Sequence, residues 1–158
     1  MRTRHALTAL ALSAAALVGI ANHESFRGVA YFATAEEKAK GISTIGFGTT
    51  EGVKPGDKIS VEKALERKLQ DVVKFEGAIK QCVKVPLHTY EYDAYVSLAY
   101  NIGEGAFCSS TLVRKLNAED YAGACAEISR WTRQGNKELA GLVKRRAKER
   151  AMCEGKLH

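Results

Sequence analysis

The stretch Thr44-Ile45-Gly46-Phe47-Gly48-Thr49-Thr50 alternates glycine with apolar residues and begins twenty positions after Glu24. Glycines at alternate positions of a strand mark close backbone approach or a sharp bend, which is what the wall of a cleft requires. The alternative is an ordinary hairpin. We predict strands only within about residues 29–59, where residues 29–32 and 44–48 flank a polar, lysine-rich turn.

The rest of the chain predicts helices. Ser60 is a suitable N-cap for a helix that runs to about Gln81, and a nearly apolar helix from about Thr89 to Ile102 is expected at the buried centre. Shorter helices are predicted over residues 110–116, 118–131 and 137–152. The C-terminal half is therefore expected to form a helix bundle.

Length and composition indicate a folded, basic protein. The 158 residues suit one domain, divisible into two lobes, and 46% hydrophobic with 27% charged residues argues against disorder. The formal net charge is +6, and a C-terminal run contributes Lys144, Arg145, Arg146, Lys148 and Arg150. This basic surface is compatible with binding to nucleic acid, to anionic lipid or to an acidic envelope polymer, and also with simple exposure to solvent. The net charge does not distinguish these possibilities.

The four cysteines are Cys82, Cys108, Cys125 and Cys153, with no C-x-x-C pair and no nearby histidine. This pattern favours two disulfides over a metal site, and three pairings are open. Disulfides require an oxidising compartment, so the chain is expected to carry an export signal.

Residues 6–21 supply that signal, because they are uncharged, mostly apolar and preceded by Arg2 and Arg4. As one helix they would span roughly 24 Å at about 1.5 Å per residue, somewhat short of a bilayer core of about 30 Å. Alanine, glycine, serine and threonine dominate the segment, so its hold on a membrane would be weak. It is either a signal peptide cut after small residues or a retained anchor.

Several ordered blocks resemble the phage-type lysozymes, or endolysins, of glycoside hydrolase family 24. The resemblance spans about residues 22–153. Its motifs are His23-Glu24-Ser25-Phe26-Arg27-Gly28, Thr44-Ile45-Gly46-Phe47-Gly48, Tyr92-Asp93-Ala94-Tyr95-Val96-Ser97, Tyr100-Asn101-Ile102-Gly103, Ser110-Thr111-Leu112, Arg130-Trp131, and Gly141-Leu142-Val143 before Arg145-Arg146.

The resemblance implies an α+β, mainly α fold. A small three-stranded β lobe, a long connecting helix and a C-terminal helical lobe would enclose a cleft. It also implies cleavage of the bond between N-acetylmuramic acid and N-acetylglucosamine in peptidoglycan. We expect a monomer that uses no cofactor or metal and binds no nucleic acid.

Glu24 matches the family's general acid, and Thr44 matches its threonine. A glycosidic oxygen leaves readily only when it is protonated, so a carboxylic acid beside the bond is the first requirement. The Thr44 hydroxyl can orient the attacking water but is not a strong base. A second carboxylate is therefore expected.

The sequence departs from the family pattern at this second carboxylate. The family has an aspartate nine residues after the glutamate, where this chain has Ala33. The interval from Tyr31 to Thr44 is longer than in the family. Glu36 or Glu37 could supply the carboxylate from this longer loop, or both could be solvated loop charges.

Other site residues also follow from the resemblance. Arg145 or Arg146 matches an arginine that faces the catalytic glutamate, and Asn101 matches an amide that contacts sugar. Gly46 and Gly48 are assigned to the substrate-binding wall. The implied disulfides are Cys82 to Cys108 and Cys125 to Cys153.

The N-terminus resembles that of the signal-anchor-release endolysins. In this subgroup a weakly hydrophobic segment is inserted, never cleaved, and later leaves the membrane. We expect residues 1–22 to form such an anchor in the inner membrane, and residues 23–158 to form the catalytic domain, released into the periplasm. Retention is favoured because a cut near Ala21 would leave Glu24 close to a flexible terminus.

Two alternatives stay open. One is a secreted lysozyme with a cleaved signal peptide. The other is a catalytically dead peptidoglycan-binding module, which the alanine at position 33 motivates. A nucleic-acid binder is disfavoured by the export segment and the paired cysteines.

Overall fold

The computed structural model describes residues 3–157, so Arg2 and His158 lie outside the described residues. The chain divides into two compact units. One runs up to Ala16 and resumes at Lys74, and the other comprises Leu17–Val73. Two helices, α1 (Ala14–Asn22) and α3 (Val61–Cys82), pass from one unit into the other.

The unit of residues 17–73 contains a small antiparallel sheet. Strand β1 (Arg27–Tyr31) pairs with β2 (Thr44–Gly46), with an irregular register between the two ends of β1. A third segment touches β1 through one bridge between Val29 and Lys58. The expected three-stranded lobe is thus two strands and a single-bridge neighbour.

The predicted polar turn between these strands is a helix. Helix α2 (Ala35–Lys40) begins at Thr34, whose hydroxyl accepts a hydrogen bond from the Glu37 amide at 3.0 Å. It ends at Gly41, which has a φ of 67°. An N-cap threonine, two acidic residues in the first turn and two lysines in the last are the local signals that the turn prediction overlooked.

The other unit is helical and is built on α4 (Thr89–Ile102), which has the predicted bounds. Nine consecutive residues of α4, from Glu91 to Ala99, are buried. The helix packs against α8 (Ala140–Cys153) and α5 (Glu104–Cys108). Helix α3 also has nearly its predicted bounds, and the Ser60 hydroxyl accepts from the Lys63 amide at 3.3 Å.

The C-terminal helices are shorter than predicted. Helix α6 (Thr111–Asn117) is close to its expected place, but α7 is limited to Tyr121–Glu127 and is followed by a 3-10 turn at Ile128–Arg130. The prediction of strands only within residues 29–59 was wrong, because β3 (Arg133–Gln134) and β4 (Lys137–Glu138) form a second hairpin around Gly135-Asn136. That turn dipeptide is a hairpin signal.

The apolar N-terminal segment is not one helix. Leu7–Ala9 form a 3-10 turn, and α1 begins only at Ala14. Within residues 3–157, no helix combines the length and the apolar character needed to cross a membrane. The segment of residues 6–21 is thus divided between a 3-10 turn and a helix that continues to Asn22.

Two disulfides tie the helical elements together. Cys82, at the end of α3, is bonded to Cys108 at the end of α5. Cys125 of α7 is bonded to Cys153, the last residue of α8, and both of these cysteines are buried. These are the pairings that the family resemblance implies. The mainly helical α+β class is confirmed.

Replacing Cys125 and Cys153 together by serine is expected to lower the free energy of unfolding by about 2–4 kcal/mol, because the loop between these residues, 28 positions apart, is no longer closed in the unfolded chain. Urea unfolding of the oxidised proteins measures the change. Reduction should then destabilise the wild type more than the variant. Equal stability of variant and wild type would contradict this role.

Candidate active site

Glu24 follows directly on the last turn of α1. Its amide donates to the Ala21 carbonyl at 3.0 Å, and the His23 amide donates to the Ile20 carbonyl at 3.2 Å. The Glu24 side chain is 35% exposed, so its carboxyl group can meet a ligand while its backbone is held by the helix.

Lys68 of α3 stands beside this carboxyl group. Its side chain is fully buried, its ammonium lies 3.9 Å from Glu24 Oε1, and it donates a hydrogen bond to the Phe47 carbonyl. A buried ammonium requires such partners. Lys68 lies in none of the motifs that predicted the site. The local signal for its burial is its spacing, four residues after Ala64 and four before Val72, on the buried stripe of α3.

The two glycines of the hairpin lie at crowded positions. Gly48 has a φ of 90°, and a Cβ atom there would lie 2.7 Å from Glu24 Oε2. Gly46 has a φ of 65°, and its Cβ would lie 2.9 Å from the Cβ of Ala64. Both backbone angles favour glycine. Gly48 therefore leaves space for the Glu24 carboxyl group, whereas Gly46 allows close packing on α3.

Thr44 is joined to a carboxylate from α2. Its hydroxyl donates to Glu37 Oε2 at 3.1 Å, and the same oxygen accepts from the Ala33 amide at 2.7 Å. Thr44 is buried, with 3% of its surface exposed. Glu37 thus reaches both Thr44 and the backbone of the position where the family carries aspartate.

Glu36 does not share this arrangement. Its carboxylate pairs with Lys40 at 2.5 Å, and its side chain is 75% exposed. The difference between the two glutamates follows from helix geometry, because neighbouring residues of a helix point in different directions. Glu37 is in the N3 position after Thr34, where a glutamate side chain commonly turns back toward the helix start.

The helical unit holds the remaining predicted residues, Asn101, Arg145 and Arg146. Arg146 is 1% exposed, forms an ion pair with Glu149 at 2.7 Å, and donates to Asn101 Oδ1 at 2.8 Å. Arg145 binds the same carboxylate at 3.0 Å and donates to the Ser97 carbonyl at 3.1 Å. The structure thus joins these three residues in one network.

Glu149 is the centre of this network and was missed by the sequence analysis. It also accepts from the Ser97 hydroxyl at 2.6 Å. Burial lowers the pKa of Arg146 below its usual value; the charge of Glu149 opposes this shift and that of Arg145 adds to it. The available signal was a single acidic residue inside the basic run of residues 144–150, spaced three and four positions from the two arginines.

Neither unit offers a metal centre among the residues described. Within residues 3–157 no group of three or more histidine, cysteine, aspartate or glutamate side chains is arranged to hold an ion. What residues 17–73 do provide is a partly exposed carboxyl group beside a buried lysine, and a hydroxyl bonded to a second carboxylate. This is acid–base chemistry with an oriented hydroxyl.

The sequence is similar to those of phage lysozymes and endolysins. The phage lysozyme family model matches residues 21–149. The endolysin of Acyrthosiphon pisum secondary endosymbiont phage 1 is 39% identical over 147 residues, covering 90% of this chain and 97% of the relative. The SAR-endolysin of Bacteriophage PS119 is 31% identical over 146 residues, covering 92% of this chain and 86% of the relative.

A solved structure leads to the same family. The crystal structure of a point mutant of P22 lysozyme has a TM-score of 0.80 and 34% identity, covering 92% of this chain and 99% of that chain. Sequence and structure thus agree over nearly the whole length of the protein. The chain belongs to the phage lysozyme family and is a glycoside hydrolase of the lysozyme type.

Proposed function

We propose that this protein is an endolysin that hydrolyses the β-1,4 bond between N-acetylmuramic acid and N-acetylglucosamine in peptidoglycan. Glu24 is the general acid, and Glu37 acts with Thr44 on the attacking water. The observation that carries this proposal is the hydrogen bond from the Thr44 hydroxyl to Glu37 Oε2. It supplies the carboxylate that the chain lacks at Ala33.

The proposed chemistry begins at Glu24. Its carboxylic acid gives a proton to the glycosidic oxygen as the bond to the anomeric carbon breaks. The Lys68 ammonium, 3.9 Å away, attracts the resulting carboxylate and limits its movement. Gly48 contributes by leaving the Glu24 carboxyl group unobstructed.

Thr44 and Glu37 act together on the attacking water. Because the Thr44 hydroxyl gives its hydrogen to Glu37, its oxygen lone pairs are available to accept a hydrogen bond from water. As the water oxygen bonds to the anomeric carbon, its proton passes to Glu37. The carboxylate thereby provides the basicity that a hydroxyl lacks.

The helical network is proposed to bind and orient substrate. Asn101 is held by Arg146, so its side-chain amide has a defined direction. Arg145 and Arg146 share Glu149, which fixes both guanidinium groups. Rigidly held polar groups of this kind orient a sugar at low entropic cost.

Substitution of the carboxylates tests the assignment. Glu24→Gln is expected to lower peptidoglycan turnover about 10²–10⁴-fold, and Glu37→Gln at least about tenfold, because each loses a proton-transfer group. Glu36→Gln is the matched control, since it changes the neighbouring glutamate, and its turnover should stay within about twofold of wild type. Turnover of purified cell wall by the oxidised proteins is the measurement.

The outcomes separate the assignments. If Glu36→Gln loses activity and Glu37→Gln keeps it, the second carboxylate has been misassigned. If neither loses activity, water oriented by Thr44 is sufficient. If wild type shows no turnover, the hydrolase proposal fails and the alternative of a peptidoglycan-binding module is favoured.

Gly48→Ala tests the space around Glu24. The new Cβ would lie 2.7 Å from Glu24 Oε2, so the carboxyl group must move and kcat should fall at least about tenfold. Gly56→Ala is the matched control, because Gly56 has a similar φ of 87° and no atom within 4 Å of a new Cβ. It should lower stability by about 1 kcal/mol and leave kcat unchanged. Equal kcat values in the two variants would contradict the crowding argument.

The N-terminal segment is proposed to be a retained anchor that is later released into the periplasm. In this proposal residues 1–22 are the anchor and residues 23–158 the catalytic domain. The support is the uncharged stretch of residues 6–21 and the likeness to SAR-endolysins over 92% of the chain. Release frees α1, which carries Glu24 beyond its last turn, from the membrane.

Intact-mass measurement of the protein expressed in a bacterium tests retention. The full-length mass in the membrane fraction is expected, and a mass lacking about the first 21 residues would establish a cleaved signal peptide. Val18→Lys is a matched variant because Val18 is 50% exposed in the folded protein. The new charge costs about 3 kcal/mol in a membrane, so membrane association should be lost while the purified variant keeps its turnover.

A further inference from the structure

The segment that precedes α1 is held by side chains far away in sequence. The Leu12 amide donates to Glu76 Oε1 at 2.8 Å, and the Ser13 amide donates to Asp93 Oδ1 at 2.9 Å. The Lys80 ammonium donates to the Leu10 carbonyl at 2.7 Å. Three polar backbone groups of the segment are therefore bound by residues of α3 and α4.

The two carboxyl groups are buried, and each residue is only 7% exposed. Glu76 Oε1 also accepts from the Tyr92 hydroxyl at 2.8 Å. Buried carboxyl groups are costly to keep unless hydrogen bonds satisfy them. Here the two buried carboxyl groups accept hydrogen bonds from the adjacent backbone amides of Leu12 and Ser13, which in an exposed loop would bind water.

These contacts set the start of α1. Ser13 immediately precedes the helix, and its hydroxyl accepts from the Ala16 amide at 3.1 Å, as an N-cap residue does. At the other end of the same nine-residue helix, Glu24 is bonded to the Ala21 carbonyl. A rigid helix of about 13 Å therefore connects the capped end to the general acid.

We propose that Glu76 and Asp93 are positioning residues for Glu24. By fixing the Leu12 and Ser13 amides, they fix the direction of α1, and α1 delivers the Glu24 carboxyl group to its place beside Lys68. They do not touch the substrate. A displacement of about 1 Å at Glu24 is enough to lower the rate about 10²-fold. Loss of the Glu76 and Asp93 hydrogen bonds should therefore lower kcat.

The same contacts distinguish two states of the N-terminus, and this step rests on the proposed membrane anchor. In a continuous helix through the segment, the Leu12 amide would donate to the Thr8 carbonyl and the Ser13 amide to the Ala9 carbonyl. Each amide has one hydrogen to give. Glu76 and Asp93 can therefore accept these amides only when the helix is broken before Ala14, as it is in this structure.

Amide variants are suitable tests because they keep an acceptor oxygen. Burial raises the pKa of Asp93 above its usual value, in spite of the hydrogen bonds from Ser13, and the charge of Glu76 raises it further. Asparagine keeps an Oδ1 acceptor for the Ser13 amide and does not bury a charge. Asp93→Asn and Glu76→Gln should retain activity, whereas Asp93→Ala and Glu76→Ala remove the acceptors.

The experiment uses the full-length soluble protein on peptidoglycan fragments, below the unfolding temperature of every variant. The combined alanine variant is expected to lower kcat about tenfold or more, with KM within about twofold, and the combined amide variant to restore most of kcat. Hydrogen exchange should become faster at the amides of Leu12, Ser13 and Glu24 in the alanine variant only.

Two control variants separate positioning from stability. Tyr92→Phe removes the other donor to Glu76 but leaves the hydrogen bonds to the Leu12 and Ser13 amides. Val113→Ala removes buried volume from α6. Both should lower stability and keep kcat. Glu76 and Asp93 are merely structural if the combined alanine variant keeps its kcat or raises only KM. The same conclusion follows if its kcat falls no further than that of Val113→Ala when the two variants are equally stable.

The hydrogen-exchange readout needs no substrate. If the wild type fails to turn over peptidoglycan, the proposed function fails. Faster exchange at the Glu24 amide in the alanine variant would still show that Glu76 and Asp93 hold the Glu24 backbone in place. If the wild type is active and exchange at Glu24 is unchanged in the alanine variant, the positioning inference is overturned alone.

Discussion

The buried ammonium of Lys68 is the constraint on which the candidate site depends. A lysine with no exposed surface requires polar partners, and those of Lys68 include the Phe47 carbonyl, which accepts a hydrogen bond, and the Glu24 carboxyl group, 3.9 Å from the ammonium. These lie on the glycine hairpin and at the end of α1. One charge on α3 therefore relates the hairpin to Glu24, the proposed general acid, and the glycine at position 48 leaves the space that the Glu24 carboxyl group occupies.

Both proposed catalytic carboxylates are placed by the ends of short helices. Glu24 follows the last turn of α1, and Glu37 lies in the first turn of α2, where Thr34 caps the helix. A helix end has a defined direction, and its position is set by capping contacts. The interval between Tyr31 and Thr44 thus brings a carboxylate to Thr44, because residues 35–40 fold into a helix that turns Glu37 toward the Thr44 hydroxyl.

The helical unit uses a different device, one carboxylate shared by two cations. The buried Glu149 carboxylate forms ion pairs with Arg145 and Arg146 and accepts a hydrogen bond from the Ser97 hydroxyl. A single buried arginine would carry an uncompensated charge, and the carboxylate offsets that cost while it fixes both guanidinium groups. Asn101 gains its orientation from this arrangement. The polar groups of α4 and α8 are therefore organised around Glu149, a residue outside every motif that identified the family.

Local sequence determined much of this protein, namely the family, the mainly helical class, the bounds of α3 and α4, and Glu24 and Thr44 as candidates. These depend on periodicity, on caps and on motif residues within a few positions of one another, which the chain displays directly. Tertiary structure alone decided which of two adjacent glutamates reaches Thr44, that Lys68 stands beside Glu24, and that the apolar N-terminus breaks before Ala14 to meet Glu76 and Asp93. The physical reason is that these contacts join residues up to 80 positions apart, and their energies depend on burial and direction, which no local pattern records.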